Sequence, residues 1–239
     1  MQISFKDSVV LVAGGTGGLG HAVSLAFLAE SAKVIVTYRN AKEFEALKSE
    51  GAGQPGTLEG AQVDVTDETA VRKLVEGIVT KHGRLDVLVN SVGGYAGGIK
   101  LWELETKVFD RMLELNLRSG FVLARAVVPV MLKQGSGAVV NVAAKAAVDH
   151  GAGASAYAAS KAAVVGLMDS LAGDLKGTGL RVNSVLPSII DTAVNREAMP
   201  DAPFATWPKP EEIARVILFL ASDDARVVQG AAVPVYGKS

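Results

Sequence analysis

Tyr157 and Lys161 stand four residues apart in Tyr157-Ala158-Ala159-Ser160-Lys161, which puts both side chains on one face of a helix. A nearby ammonium stabilises a phenolate and lowers the tyrosine pKa toward working pH. A tyrosine so tuned can donate or accept the proton of a reacting oxygen or nitrogen. An exposed helix face can carry the same pair, so its meaning depends on what surrounds it.

Far upstream, Val9-Val10-Leu11-Val12-Ala13 runs into Gly14-Gly15-Thr16-Gly17-Gly18-Leu19-Gly20, and a helical pattern follows. A glycine turn between a strand and a helix lets backbone N–H groups and a helix N-terminus face a pyrophosphate with no Cβ in the way. A glycine cluster alone is only a tight turn. Its place after the first strand and before the first helix is the context that makes it a dinucleotide site.

The elements that must position these groups alternate along the chain. Strands are predicted at Val9–Ala13, Lys33–Tyr38, Gly60–Val65, Leu85–Asn90, Ala138–Val142, Leu180–Leu186 and Ala232–Val235. Most are near-continuous apolar runs, as in parallel strands buried on both faces. Helical spacing marks Gly18–Ser31, Ala41–Ser49, Glu68–Lys81, Lys107–Lys133, Ala156–Leu175 and Glu211–Ala221. The expected fold is α/β: a Rossmann-type doubly wound parallel sheet of about seven strands with helices on both faces. With no internal repeat or linker, residues 1–239 are expected to form one dinucleotide-binding and catalytic domain. The long connection Pro187–Pro210 is expected to be an irregular lid or binding loop.

Composition removes several classes of function. A net charge of −1 gives no basic face for nucleic acid. The absence of cysteine excludes disulfides, thiol nucleophiles and thiolate metal sites, and three scattered histidines cannot form a zinc helix, so no metal is expected. Residues 1–7 lack the apolar run of a signal peptide. The stretch Leu113–Met131 is interrupted by Glu114, Arg118 and Arg125, so no membrane span is expected. A cytoplasmic protein acting on a small molecule is the resulting expectation.

The residues after the second strand choose between a free 2′-hydroxyl and a 2′-phosphate on the dinucleotide. Val36-Thr37-Tyr38-Arg39-Asn40 offers no acid there, and the planar fork of Arg39 can pair with a phosphate. NADP(H) is therefore expected over NAD(H), although a merely solvated Arg39 would discriminate little.

The turn Gly14-x-x-x-Gly18-x-Gly20, followed by Tyr157-x-x-x-Lys161 in the helix after the fifth strand, resembles the short-chain dehydrogenase/reductase family. Ala13 stands where that family usually has Thr, and Gly17 where members often place a base. The resemblance spans essentially the whole chain. It implies that Gly14, Thr16, Gly17, Gly18, Leu19 and Gly20 cradle the pyrophosphate, with Arg39 and Asn40 at the ribose. Asp64 and Val65 would meet the adenine, the former accepting from its amine. Asn90, Val92 and Gly93, in a segment similar to the family's Asn-Asn-Ala-Gly, would border the cofactor. Pro187, Ile190 and Thr192 would contact the nicotinamide, Ser188 replacing a usual glycine. Lys161 would also anchor the nicotinamide ribose, and Asn116 would support a proton-relay water near it. Family members pair the helices here at Lys107–Lys133 and Ala156–Leu175 between subunits, so a homo-oligomer, dimer or tetramer, is expected.

One family position breaks. The usual catalytic serine, thirteen residues before the tyrosine, is Ala144, and Ala143 offers no hydroxyl either. Losing such a donor from an oxyanion site costs about 10²–10³ in rate. Either the site is impaired, as in a 3-oxoacyl or ketone reductase working slowly or a dinucleotide-binding sensor, or the substrate does not need that hydroxyl. The segments Gly93–Gly98, Ala144–Asp149 and Asp191–Trp207 are similar to the dihydropteridine reductase branch, which keeps the Tyr–Lys pair without the serine. That branch familiarly carries an acid where Arg39 stands. The likeness implies a conjugated imine substrate, a quinonoid dihydropterin. Tyr95, His150, Met199 and Trp207, with Ala144 and Lys145, are the substrate-side candidates, an aromatic slot suiting a flat heterocycle. Trp102 and Phe204 read equally as loop anchors.

Overall fold

The computed structural model describes residues 3–238. Seven strands, β1 (Val9–Ala13), β2 (Lys33–Tyr38), β3 (Thr57–Gln62), β4 (Val87–Asn90), β5 (Gly137–Val142), β6 (Leu180–Pro187) and β7 (Ala232–Val235), form one sheet in the order β3-β2-β1-β4-β5-β6-β7. Every neighbouring pair is parallel. The helices are α1 (Gly18–Ala29), α2 (Ala41–Glu50), α3 (Glu68–His82), α4 (Thr106–Leu113), α5 (Ser119–Gln134), α6 (Ser155–Asp174), α7 (Ala193–Ala198) and α8 (Pro210–Ala221). They cover both faces, as strands that are apolar on both sides require: β1 is buried at every residue. Two apolar clusters result, one per face. Leu11, Leu88, Leu123 and Met131 belong to the first. Phe27, Val34, Ile213 and Ile217 belong to the second.

The chain winds outward from β1 to β3 and then returns to place β4 on the other side of β1. That reversal opens a crevice at the carboxyl ends of β1 and β4, where such sheets hold ligands. Register keeps the floor level, with Ala13 beside Asn90, Asn90 beside Asn141 and Asn141 beside Ser184.

Most boundaries hold or move by one or two residues, the fourth strand starting at Val87 rather than Leu85, and three expectations change more. The third strand is Thr57–Gln62 rather than Gly60–Val65. It is an edge strand with no fully buried residue, so an apolar run does not mark it, and buried Val65 lies beyond its end. The long helix at Lys107–Lys133 is three pieces, with a π-helical turn, Glu114–Arg118, between α4 and α5. The segment Thr106–Gln134 has the length and composition to cross a membrane, but half of its most apolar window is buried, because it supplies Val122, Leu123 and Met131 to the core. The connection Pro187–Pro210 contains α7 and a 3₁₀ turn at Phe204–Thr206, so it is partly ordered helix rather than irregular throughout.

Candidate active site

At the glycine turn, Gly14 has a φ of +71° and its amide donates to Thr37 Oγ1 at 2.9 Å. Gly15 N–H bonds the Thr37 carbonyl at 3.1 Å, and Gly17 N–H returns to the Gly14 carbonyl at 3.1 Å. A Cβ on Gly20 would lie inside the contact distance of the Gly14 carbonyl oxygen, so only glycine lets α1 start so close to the turn. Gly17 and Gly18 are exposed, while Leu19 and Gly20 are buried beneath them. The first turn of α1 has no acid and no side-chain cap, which leaves its N–H groups facing outward. This cradle fits a pyrophosphate on backbone amides and a helix dipole.

The outer end of the crevice is assembled from the ends of β2 and β3. Arg39 is half exposed, with Nη2 3.5 Å from Asp64 Oδ2. Asp64 lies past the end of β3, and its Oδ1 accepts from Thr66 N–H at 2.9 Å and from Thr66 Oγ1 at 2.7 Å. Those two bonds, with Arg39 behind them, hold its carboxyl below the usual range. Asn40 caps α2 through the Lys42 amide.

On the other side of the crevice, buried Asn90 donates to Asn141 Oδ1 at 2.9 Å and accepts from Val92 N–H at 3.2 Å. Ser91 Oγ donates to the Ala13 carbonyl at 2.7 Å, joining the ends of β4 and β1. A Cβ at Gly93 would stand 2.8 Å from Asn116 Oδ1 and 3.1 Å from Lys161 Nζ, so glycine admits both groups to one spot. Asn116 sits in the π-helical turn, 1% exposed. Its Oδ1 accepts from Gly94 N–H at 2.9 Å, and its Nδ2 donates to the Gly94 carbonyl at 3.0 Å and Ser160 Oγ at 2.9 Å. Ser160 Oγ donates to the Tyr157 carbonyl at 2.8 Å. The asparagine therefore ties the loop after β4 to the Tyr–Lys helix.

Tyr157 and Lys161 both lie on α6, with Lys161 Nζ 6.0 Å from the Tyr157 ring centroid and donating to the Val142 carbonyl at 3.1 Å. Burial lowers Lys161 to about 8. Burial also pushes the Tyr157 phenol up to about 12, and the neighbouring Tyr95 adds to the rise. This corrects the expectation that the lysine lowers the tyrosine here. The ammonium is turned to a backbone carbonyl, and desolvation of the phenolate outweighs it. At neutral pH the phenol therefore holds its proton.

Ala144 follows β5 with 7% exposure, and Ala143 has 3%, so a hydrocarbon patch occupies the place of a hydroxyl. Lys145 lies 3.7 Å from Asp149 and over the Tyr236 ring. Tyr95 is 70% exposed and meets the Tyr157 ring edge to face at 5.0 Å. His150 is exposed, and Met199 half-buried beyond α7. Trp207 is buried and packs on Phe204 at 5.1 Å, so this indole anchors the lid, whereas Trp102 is 80% exposed.

Pro187 is buried at the end of β6, and Ile190 and Thr192 are half-buried. The Thr192 methyl lies where a Gly18 side chain would begin, bringing the lid against the phosphate turn. Asp191 and Arg196 form a paired fork at 2.5 and 2.8 Å, with the guanidinium 5.0 Å from the Phe204 ring. This brace was missed from sequence. An acid and an arginine five residues apart match neither helical neighbour spacing. Ser160, Ser91 and Thr37 were missed as well, since isolated hydroxyls carry no pattern.

A doubly wound sheet, a glycine cradle at the switch point and a Tyr–Lys pair with its lysine buried define a dinucleotide-dependent oxidoreductase. The sequence pattern of the short chain dehydrogenases matches residues 8–203, and the chain belongs to the short-chain dehydrogenase/reductase family. It is 35% identical to the 3-oxoacyl-[acyl-carrier-protein] reductase FabG of Thermotoga maritima, over 97% of each chain. The carveol dehydrogenase of Mycobacterium avium, solved with NAD, superposes with a TM-score of 0.91 at 25% identity, covering 99% of this chain and 98% of that one. ElxO, solved with NADP, superposes with a TM-score of 0.90 at 28% identity, covering 96% and 97%. Both of these neighbours were solved with a nicotinamide dinucleotide.

Proposed function

We propose that residues 1–239 act as one NADP(H)-preferring reductase unit that delivers hydride to a conjugated imine, with a quinonoid dihydropterin as substrate. The observation that carries this reading is the intact Tyr157–Lys161 pair, its lysine buried and its tyrosine half-buried, in a chain whose position 144 is a buried alanine. The dinucleotide supplies hydride from its nicotinamide ring. Tyr157 donates its phenolic proton to the substrate nitrogen, which needs no second hydroxyl at a carbonyl oxygen. Below about pH 8 Lys161 carries a positive charge near the ribose and the phenol, and Asn116 fixes the loop that brings Gly93 to the lysine. Arg39 pairs with the 2′-phosphate, and Ile190 and Thr192 close over the nicotinamide end. Exposed Tyr95, edge-on to Tyr157, offers a wall for a flat heterocycle.

NADPH oxidation with freshly generated quinonoid dihydropterin tests the proposal against NADH and a blank without enzyme. Turnover well above the blank, faster with NADPH, is expected. No turnover with cofactor binding intact would remove the pterin reading. A second reading, reduction of a 3-oxoacyl thioester or ketone by a site weakened at Ala144, is favoured by the 35% identity to the acyl-carrier-protein reductase.

The same reading includes self-association. A groove of about 460 Å³ runs along the outer face of α4, α5 and α6, lined by Leu113, Leu117, Phe121 and Leu167 with Asp110, Glu114 and Arg118. Pairing of this face between copies would give a sedimenting mass of two or four chains; a mass of one chain would defeat it.

A further inference from the structure

Arg39 is the cationic side chain offered to the 2′ position, but the groups around it are held by acids. Glu43, exposed in the first turn of α2, accepts from Thr16 Oγ1 at 3.0 Å and from Asn40 Nδ2 at 3.4 Å. Thr16 belongs to the glycine turn after β1, and Asn40 follows β2, so this one carboxylate spans the two strand ends between which an adenosine ribose sits. Arg39 itself faces Asp64 across 3.5 Å. Arg39, and more weakly Arg111, bring positive charge to Asp64, while Glu43 adds a further negative charge beside Thr16 and Asn40. Asp64 is further engaged by Thr66, whereas both recorded contacts of Glu43 are with the neutral donors of the ribose corner.

We propose that Glu43 is a specificity-determining residue that opposes the 2′-phosphate and so keeps NADH usable beside NADPH. A 2′-phosphate reaching Arg39 meets a carboxylate already bonded to Thr16 and Asn40. Two neutral donors are thereby withheld from it, and a like charge is added. A free 2′-hydroxyl carries no such charge and meets no such repulsion. The inference deepens the NADP(H)-preferring reading: Arg39 sets the sign of the preference, and Glu43 limits its size.

Glu43→Gln tests this, since the amide keeps the shape and an acceptor for Thr16 while removing the charge. The cap on the Lys42 amide uses Asn40 Oδ1, whereas Glu43 takes Asn40 Nδ2, so the variant does not remove the cap bond. Dissociation constants for NADPH and NADH would be measured by direct titration, without turnover. NADPH should bind about ten-fold tighter to the variant, between the roughly four-fold that a like charge ~5 Å away gives in bulk water and the much larger effect it has when shielded from solvent, as suits an exposed carboxylate. NADH should change less than about two-fold, and the NADPH gain should shrink at high ionic strength. Equal shifts for both dinucleotides, or none for either, would overturn the role of Glu43 while leaving dinucleotide binding in place. Failure of the unmodified protein to bind either dinucleotide would overturn the underlying reading and this inference together.

Discussion

Replacing Tyr157 with phenylalanine is expected to lower kcat for the reductive reaction by about 10²–10⁴-fold, the usual contribution of a positioned proton donor. The ring that packs against Tyr95 remains, so thermal stability and cofactor affinity should hold while turnover falls. Undiminished turnover would remove Tyr157 from the chemistry. The unmodified protein should show the matching pH dependence. Its phenol, pushed up to about 12, stays protonated across the working range, whereas Lys161, lowered to about 8, does not stay charged. The reductive rate should therefore hold level below about 8 and decline as the pH rises through it, as the ammonium loses its proton. A rate that climbs through that range would contradict the assignment. In the oxidative direction the sign reverses for the tyrosine, because a phenol that holds its proton is a poor base until the medium is strongly alkaline.

The tyrosine's environment marks where sequence stops informing. Spacing of four puts Tyr157 and Lys161 on one helix face, but it does not say where the ammonium points. Lys161 reaches the Val142 carbonyl at the end of β5, a contact made by tertiary packing. The parallel order of the sheet was legible because β1, β2, β4 and β5 are apolar on both faces. β3 was displaced because an edge strand needs no such run. The glycine turn was legible because a turn packed closely against the helix that follows demands residues without Cβ, as where a Cβ on Gly20 would meet the Gly14 carbonyl. The π-helical turn at Glu114–Arg118 left no trace, since one extra residue per turn leaves no composition mark in Glu-Leu-Asn-Leu-Arg. Yet that turn holds Asn116, whose three bonds to Gly94 and Ser160 connect the cofactor-side loop to the Tyr–Lys helix. The residue type was recognisable by resemblance. The irregularity that houses it was not, and such π-bulges often lie at functional sites.

Position 144 separates the competing chemistries, and the second large effect is expected there. Ala144 lies in extended backbone, φ −167° and ψ 160°, between β5 and the 3₁₀ turn Lys145–Ala147. A serine fits that conformation without strain, and the added oxygen enters a site with little exposure. For a carbonyl substrate, Ala144→Ser supplies a second donor to an oxygen on which negative charge grows. Ketone reduction should then rise by about 10²–10³-fold in kcat. For a quinonoid dihydropterin the charge is met by protonation of nitrogen from Tyr157, and the same variant should change turnover by less than about three-fold. The ratio of the two activities in one preparation is the decisive measurement, because any loss of folded protein cancels from it. A large gain on ketones with no dihydropterin turnover in either form would identify a carbonyl reductase that has lost its hydroxyl. A gain on neither, with dinucleotide still bound, would leave the Tyr–Lys pair without a reaction and favour a sensing role. The pterin reading survives only if dihydropterin turnover is present before the hydroxyl is added and indifferent to it afterwards.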